Sequence, residues 1–122
     1  MLVSVFALTA CGGSGGKVTN LNSNDFATKV ADPIVTTIDV RTPGEFATGH
    51  IAGAINIDWE SGTFAQDVLA LDKKKTYAVY CRSGNRSGQA TAQMAKDGFA
   101  SIFNLNGGLI EWTAAGQSLV TQ

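Results

Sequence analysis

The sequence predicts an α/β domain built on a parallel sheet of about five strands. Two observations lead to this fold class: from Lys17 onward short apolar runs alternate with helical patterns, and the run at residues 34–40 is rich in β-branched residues. The length of 122 residues suits one domain rather than two. With 44% hydrophobic and 16% charged residues, the composition is that of a folded protein and not of a disordered chain.

Five strands are predicted, and the second and fourth are the most informative about the fold and the site. The second is β-branched along its length, which is typical of a buried central strand. The fourth runs directly into Cys81. The predicted strands cover residues 18–21, 34–40, 54–57, 76–80 and 102–105.

Helices are predicted between these strands from capping signals and apolar spacing. Ser23 or Asn24 is expected to cap the first helix, which Pro33 ends. Residues 42–45 (Thr-Pro-Gly-Glu) combine a capping box with proline at the first helical position, so a short helix should begin there and end near Gly49. The remaining helices are predicted at residues 63–71, 87–96 and 109–115.

Residues 1–10 have the composition of a truncated secretory signal. The apolar stretch has no preceding Lys or Arg, and it ends in Leu-Thr-Ala before Cys11. This ending resembles the lipobox of bacterial lipoproteins, in which the cysteine becomes the lipidated N-terminus. Residues 11–17 form a glycine-rich linker by composition, which leaves residues 18–122 for the domain. We therefore expect a lipid anchor at Cys11 in a bacterial cell envelope, or a cytoplasmic protein if the apolar stretch is incidental.

Charge and residue counts exclude several functions. A formal net charge of -1 provides no general attraction for nucleic acid. One histidine and two cysteines are too few for a tetrahedral zinc site made by the protein alone, so neither a metal nor another cofactor is expected. No apolar run is long enough to span a bilayer. We expect the domain to be a monomer.

Cys81 lies in a strand–loop–helix unit that favours a reactive thiolate. Ligands of open parallel sheets bind beyond the carboxyl ends of the strands, where Cys81 is predicted to lie. The following helix directs unpaired N–H groups and its positive dipole end at the loop, and Gly84 allows these groups to converge. Arg82 and Arg86 are expected to add two positive charges. Such surroundings lower the pKa of a thiol and bind an anion, which an inert core cysteine would not require.

Three stretches of the chain together resemble the rhodanese family. They are residues 38–46 continuing at 49–56, residues 79–87, and residues 104–109 followed by Glu111 and Trp112. The resemblance covers about residues 18–117. It implies an open, mainly parallel sheet with helices on both faces and a catalytic Cys81. It also implies a substrate-binding loop made of Arg82, Ser83, Gly84, Asn85, Arg86 and Ser87.

The resemblance implies a sulfurtransferase that works through a Cys81 persulfide. The thiolate would take sulfane sulfur from thiosulfate or a related donor, and cyanide, a thiol or an acceptor protein would then remove it. Ser83 departs from the basic residue frequent in thiosulfate-preferring loops, which leaves the donor open. A persulfide carrier or sensor with little turnover is one alternative. A phosphatase or arsenate reductase is another, disfavoured because the loop from Cys81 to Arg86 has six residues and related phosphatases use one more.

Asp39, Arg41 and His50 are candidates for a secondary role at the site. Asp39 lies at the ligand-side end of a strand, although a buried ion pair with Arg41 is a simpler explanation. His50, the only histidine, could act as a general base, but the interpretation we favour is a buried hydrogen-bonding residue that ties a loop to the sheet. Glu45 is assigned to the helix cap, and Trp112 to the core or the pocket wall.

Overall fold

Five parallel strands form one sheet in the computed structural model, which describes residues 16–122. The strand order is β1-β5-β4-β2-β3, so that β4 pairs with both β2 and β5. The predicted fold class is confirmed. The predicted signal segment and Cys11 lie outside the described residues. The strands are β1 Lys17–Leu21, β2 Val35–Asp39, β3 Ile55–Asn56, β4 Thr76–Tyr80 and β5 Ser101–Leu105.

Five helices and a 3-10 turn connect the strands, and local caps decide where the helices begin. The Asn22 side chain, rather than the predicted Ser23 or Asn24, caps α1 by accepting a hydrogen bond of 2.8 Å from the Asp25 amide. The last long helix begins two residues earlier than predicted because Gly84, at a left-handed φ of 97°, serves as its N-cap. The helices are α1 Ser23–Val30, α2 Pro43–Thr48, α3 Phe64–Val68, α4 Asn85–Lys96 and α5 Gly108–Ala114, and the 3-10 turn is Trp59–Ser61.

Strand β2 is one residue shorter than predicted at each end. At its start, an Asp32 carboxylate oxygen accepts a hydrogen bond of 3.0 Å from the Ile34 amide and closes a turn, so that Ile34 stays 74% exposed. At its end, the buried Val40 still donates its amide to the Tyr80 carbonyl at 3.0 Å. The buried position predicted for this segment is therefore correct for residues 37–40, whereas Val35 and Thr36 are half-buried and Ile34 is exposed.

Each face of the sheet carries a hydrophobic core covered by two helices. Tyr77 and Val79 of β4 belong to the first core, under α3 and α4. Ala78 and Tyr80 belong to the second core, under α1 and α5. Because side chains alternate along a strand, Cys81 continues the first series and its side chain faces α4. No helix within residues 16–122 is long and apolar enough to cross a membrane.

Both tyrosines of the chain lie in β4, and each hydroxyl holds a neighbouring loop. The Tyr77 hydroxyl donates to the Asp72 carbonyl at 2.8 Å, and the Tyr80 hydroxyl accepts from the Ile51 amide at 3.0 Å. Burial raises the pKa of both phenols, and the carboxylates of Asp72 and Asp39 raise them further. The central strand is thereby tied to the loops at both of its ends.

Candidate active site

Cys81 directly follows β4, and the start of α5 holds its backbone in place. The Cys81 carbonyl accepts a hydrogen bond of 3.0 Å from the Leu109 amide, and the Arg82 carbonyl accepts one of 3.1 Å from Ile110. Gly108 permits this close approach because it has a left-handed φ of 64° and because a side chain there would overlap the Arg82 carbonyl. The base of the loop is therefore fixed between the sheet and α5.

The loop after Cys81 curls so that backbone N–H groups point at the sulfur. The Gly84 amide donates to Cys81 Sγ at 3.0 Å, and the Ser87 amide donates to it at 3.3 Å. Gly84 packs so closely on the Asn106 carbonyl that a Cβ atom would overlap it. The structure thus brings together the cysteine and two of the amides that the sequence places in the loop.

Hydrogen bonds lower the pKa of the Cys81 thiol although the residue is fully buried. Burial alone would raise this pKa, but the Ser87 hydroxyl and the amides of Ser87, Gly84 and Ser83 outweigh it. The Ser87 hydroxyl is buried and makes no well-formed hydrogen bond in the described part of the chain, so its contribution comes from proximity to the sulfur. The site favours the nucleophilic, ionised form of the sulfur.

The two arginines of the loop differ in their partners. Arg86 donates two parallel hydrogen bonds to Glu45, of 2.8 and 2.9 Å, and lies 3.5 Å from Glu60. Arg82 is exposed and forms no ion pair with any residue from 16 to 122. The two arginines expected from the sequence therefore differ in their availability to an anion. Glu45 compensates the charge of Arg86, whereas the charge of Arg82 stays available.

Glu45 links helix α2 to the loop as well as capping the helix. The predicted capping box is present: Thr42 Oγ1 accepts from the Glu45 amide at 3.3 Å, and Glu45 Oε1 accepts from the Thr42 amide at 3.2 Å. The hydrogen bond from Arg86 is the main reason why the pKa of Glu45 falls from 4.5 to about 2. Sequence reasoning missed this second role, since 41 positions separate Glu45 from Arg86 and no local pattern connects them.

Asp39 and Arg41 form a buried ion pair with each other. Arg41 Nε lies 3.0 Å from both carboxylate oxygens of Asp39, and Arg41 Nη2 donates to Asp39 Oδ2 at 2.6 Å. The same Nη2 atom donates to the Gly49 carbonyl at 2.6 Å. The pair orders the segment between β2 and the end of α2, in agreement with the simpler of the two explanations offered for these residues.

His50 bridges two backbone carbonyls. Its Nδ1 atom lies 2.9 Å from the Phe46 carbonyl, and its Nε2 atom lies 2.7 Å from the Gln122 carbonyl. The ring also stacks on Phe46 with centroids 3.7 Å apart. The structural role favoured for His50 agrees with these contacts, but they join α2 to the C-terminal segment, whereas we expected a link between a loop and the sheet.

A groove of about 270 Å³ lies beside the catalytic loop, whereas Cys81 itself has no exposed surface. Arg82 lines the groove on the loop side, Ile110 and Thr113 line it from α5, and Leu119 lines it from the C-terminal segment. Ile110 is 56% exposed there. An anion in this groove would contact Arg82, whereas the Cys81 side chain does not line it. The sequence did not identify the groove, because its walls come from segments far apart in the chain.

These features define a class of protein, namely a single α/β domain with a cysteine sulfur that accepts hydrogen bonds from backbone amides at the end of a central strand. A family model described as "Rhodanese-like domain" matches residues 22–115, and the chain belongs to this family. A protein named sulfurtransferase from Allochromatium vinosum is 33% identical over 104 residues, which are 84% of this chain and 95% of that protein.

Further comparisons extend the family assignment to longer proteins and to solved structures. A tRNA uridine(34) hydroxylase from Yersinia enterocolitica is 36% identical over 89 residues, which are 68% of this chain but only 25% of the hydroxylase. A crystal structure of a rhodanese-related protein from Thermoplasma volcanium superposes with a TM-score of 0.75 at 31% identity and covers 85% of this chain and 99% of its own. The fold and the family are thus shown, and a sulfurtransferase-like activity is indicated.

Proposed function

We propose that this protein is a sulfurtransferase that carries sulfane sulfur as a persulfide on Cys81. The observation that carries the proposal is the pair of amide hydrogen bonds from Gly84 and Ser87 to Cys81 Sγ, together with the lowered pKa of that thiol. Backbone donors that stabilise a thiolate also suit a persulfide anion, which is longer by one sulfur atom. The relative named sulfurtransferase supports the same activity.

The proposed reaction consists of two displacements at sulfur. The Cys81 thiolate attacks the sulfane sulfur of thiosulfate or a related donor, the sulfur–sulfur bond of the donor breaks, and sulfite leaves with the electron pair. Cyanide, a thiol or an acceptor protein then attacks the outer sulfur of the persulfide and regenerates the thiolate. The cycle needs no outside oxidant or reductant, and exposed Arg82 is suited to bind the donor anion.

Intact mass before and after mixing with thiosulfate tests the proposal. We expect a gain of about 32 daltons, one sulfur atom, that cyanide or dithiothreitol reverses. A Cys81→Ser variant should show no gain, and a Cys11→Ser variant, the matched control for the other cysteine, should gain as the native chain does. If thiosulfate, mercaptopyruvate and polysulfide all leave the mass of the native chain unchanged, the proposal is wrong and phosphate or arsenate chemistry is the next to examine.

Slow turnover, as in a persulfide carrier, is a second candidate because Cys81 is completely buried. In a carrier, the persulfide would form in one burst and pass slowly to small acceptors, because its transfer is adapted to a partner protein. Rapid-quench measurement of sulfite, the product released when the persulfide forms, distinguishes the two functions. A burst of one equivalent followed by a slow phase indicates the carrier, and a linear course with steady turnover indicates the enzyme.

We also propose that Cys11 carries a lipid that anchors the domain at the outer face of a bacterial membrane. The proposal depends on the order of apolar stretch, cysteine and glycine spacer in the sequence. Detergent-phase partition and intact mass of protein isolated from a bacterial host test it. We expect an acylated chain beginning at Cys11 that partitions into detergent, whereas a chain that begins at Met1 without lipid would contradict the anchor.

A further inference from the structure

Five of the six lysines lie at the edge of the sheet where the parallel strands begin. Lys17 is the first residue of β1 and pairs with Ser101, the first residue of β5. Lys96 is the last residue of α4, which leads into β5. The remaining three, Lys73, Lys74 and Lys75, directly precede β4.

Backbone hydrogen bonds join these segments into one continuous surface. The Lys73 carbonyl accepts from the Ala100 amide at 3.0 Å, and the Ala100 carbonyl accepts from the Lys17 amide at 3.4 Å. Lys74 and Lys75 line an open cavity of about 380 Å³ with Pro33 and Ile34, and two threonines complete its wall. We call this surface the lysine face, defined by Lys17, Lys73, Lys74, Lys75 and Lys96 with Pro33 and Ile34.

The charges of the lysine face are free to meet an external partner. All five lysines are exposed, and every ion pair of the described chain is made by an arginine. Three aspartates lie among them, and each is engaged by its own turn or helix: Asp32 with the Ile34 amide, Asp72 with the Lys74 amide, and Asp97 with the Gln93 side chain. The face remains net positive, and Ile34 adds a side chain that is 74% exposed beside Lys74 and Lys75.

The chain that precedes the described residues joins the domain at this same face. Gly16 donates its amide to the Ala95 carbonyl at 2.8 Å, next to Lys17. Only five positions separate Gly16 from Cys11, a length that spans at most about 18 Å when fully extended. An anchor at Cys11 would therefore keep the face next to a bilayer and let the lysines approach it within one Debye length, about 8 Å at physiological salt, where attraction to anionic headgroups acts.

We propose that the lysine face docks on the anionic phospholipid surface of a membrane. The argument from the distance to the membrane depends on the proposed lipid at Cys11. The arguments from the positive charge of the face and from the exposed Ile34 do not depend on that lipid. A phospholipid surface fits better than a nucleic acid because the apolar Ile34 belongs to the face and Gly16, five positions after Cys11, is hydrogen-bonded beside Lys17. Cys81 follows the opposite end of β4, so a docked domain presents the catalytic loop to the aqueous side.

Flotation with lipid vesicles tests this docking on the full chain. The probes are vesicles of phosphatidylcholine alone and vesicles that also contain phosphatidylglycerol. We expect tighter binding to the anionic vesicles, weakened by salt, and a loss of about fivefold per lysine removed, or on the order of 25-fold for Lys74→Gln with Lys75→Gln. The matched control, Gln66→Glu with Gln89→Glu, changes net charge equally at positions of α3 and α4 outside the face and should bind like the native chain.

Two results would overturn the proposal. Equal binding to both kinds of vesicle, unchanged by the lysine substitutions, would assign membrane attachment to the N-terminal segment alone. Binding to RNA but not to anionic vesicles, with the same dependence on Lys74 and Lys75, would make the face a nucleic-acid surface. Neither result depends on sulfur transfer, so the docking and the enzymatic proposal fail independently.

Discussion

The pKa of the buried Cys81 thiol is lowered by the Ser87 hydroxyl and by backbone amides rather than by a histidine. The ring nitrogens of His50, the only histidine, are both occupied by the carbonyls of Phe46 and Gln122. The amides of Gly84 and Ser87 instead donate to the sulfur. Such donors cannot be titrated, so the thiolate is stabilised at every pH at which the loop is folded.

The contribution of Ser87 to the Cys81 thiolate leads to a first prediction. Ser87→Ala removes the hydroxyl near the sulfur but keeps the amide, so the pKa of Cys81 should rise toward its ordinary value. Ultraviolet absorbance of the thiolate, titrated in a Cys11→Ser background, measures this change. Ser83→Ala is the control, because Ser83 contributes through its amide alone and its titration should match the parent. An unchanged pKa in Ser87→Ala would show that the amides suffice.

The ion pair between Glu45 and Arg86 leads to a second prediction, on stability. Because the folded-state pKa of Glu45 lies at about 2, below its ordinary 4.5, the pair contributes stability above about pH 4.5 and loses it as the pH falls toward 2. Glu45→Gln should cost about 1 kcal/mol at neutral pH, and the deficit should shrink in acid. Urea unfolding at neutral pH and near pH 3 measures both values.

Glu60→Gln provides the control for this ion pair. Glu60 approaches the same guanidinium only to 3.5 Å, and its side chain is 57% exposed. Its replacement should change the free energy of unfolding by less than about 0.5 kcal/mol. Equal losses in the two variants, or a deficit of Glu45→Gln that persists in acid, would contradict the assigned role of the Glu45 pair.

At the scale of elements, the loop and helix α4 depend on glycines with opposite requirements. Gly84 has a left-handed φ of 97°, and a side chain there would overlap the Asn106 carbonyl. Gly88 lies inside α4 and has open space around it. The first glycine is required by the geometry around Cys81, whereas the second only weakens the helix.

The third prediction compares alanine at these two positions. Gly84→Ala should destabilise the domain and slow persulfide formation, because the loop has to open to relieve the overlap. Gly88→Ala should raise the free energy of unfolding by about 0.5–1 kcal/mol and leave persulfide formation unchanged. Urea unfolding and the thiosulfate mass assay measure both. A Gly84→Ala domain with native stability and rate would show that the loop tolerates a different conformation.

Local signals in the sequence predicted the elements better than the contacts between them. Strand β4 has its predicted bounds, the capping box of α2 is present, and Trp112 lies in the core as expected. The helix starts and the ends of β2 differ by one or two residues, since a turn residue such as Asp32 competes with the strand pattern. The contacts that were not predicted join segments far apart in the chain. Examples are the hydrogen bond between Arg86 and Glu45 and the contact between His50 and Gln122.

For the whole molecule, the two cores share one sheet and should unfold together. Phe26 is fully buried in the second core, where its ring meets Tyr80 and Trp112 edge to face. Trp59 packs against the first core on the opposite face of the sheet. Because β4 contributes side chains to both cores, a substitution that destabilises one core should lower the free energy of unfolding that a probe in the other core reports.

The fourth prediction tests this coupling. In a Trp112→Phe background, Trp59 fluorescence should report a loss of about 3–5 kcal/mol on Phe26→Ala, although the two residues lie in different cores. The unfolding midpoint should coincide with that from circular dichroism. Phe103→Ala, at a partly exposed site, is the control and should cost clearly less. Separate midpoints for the two probes would mean that the faces of the sheet unfold independently.

The two buried tyrosines of β4 give the folded protein an unusual spectrum in alkali. Since burial raises the pKa of both phenols, phenolate should form in the native protein only at a higher pH than in free tyrosine. Unfolding would remove this protection, and both tyrosines would then ionise in their ordinary range. At pH values below the onset of phenolate formation, the ultraviolet absorbance change of a Cys11→Ser chain comes from ionisation of the Cys81 thiol. Cys81 can therefore be titrated without any extrinsic label.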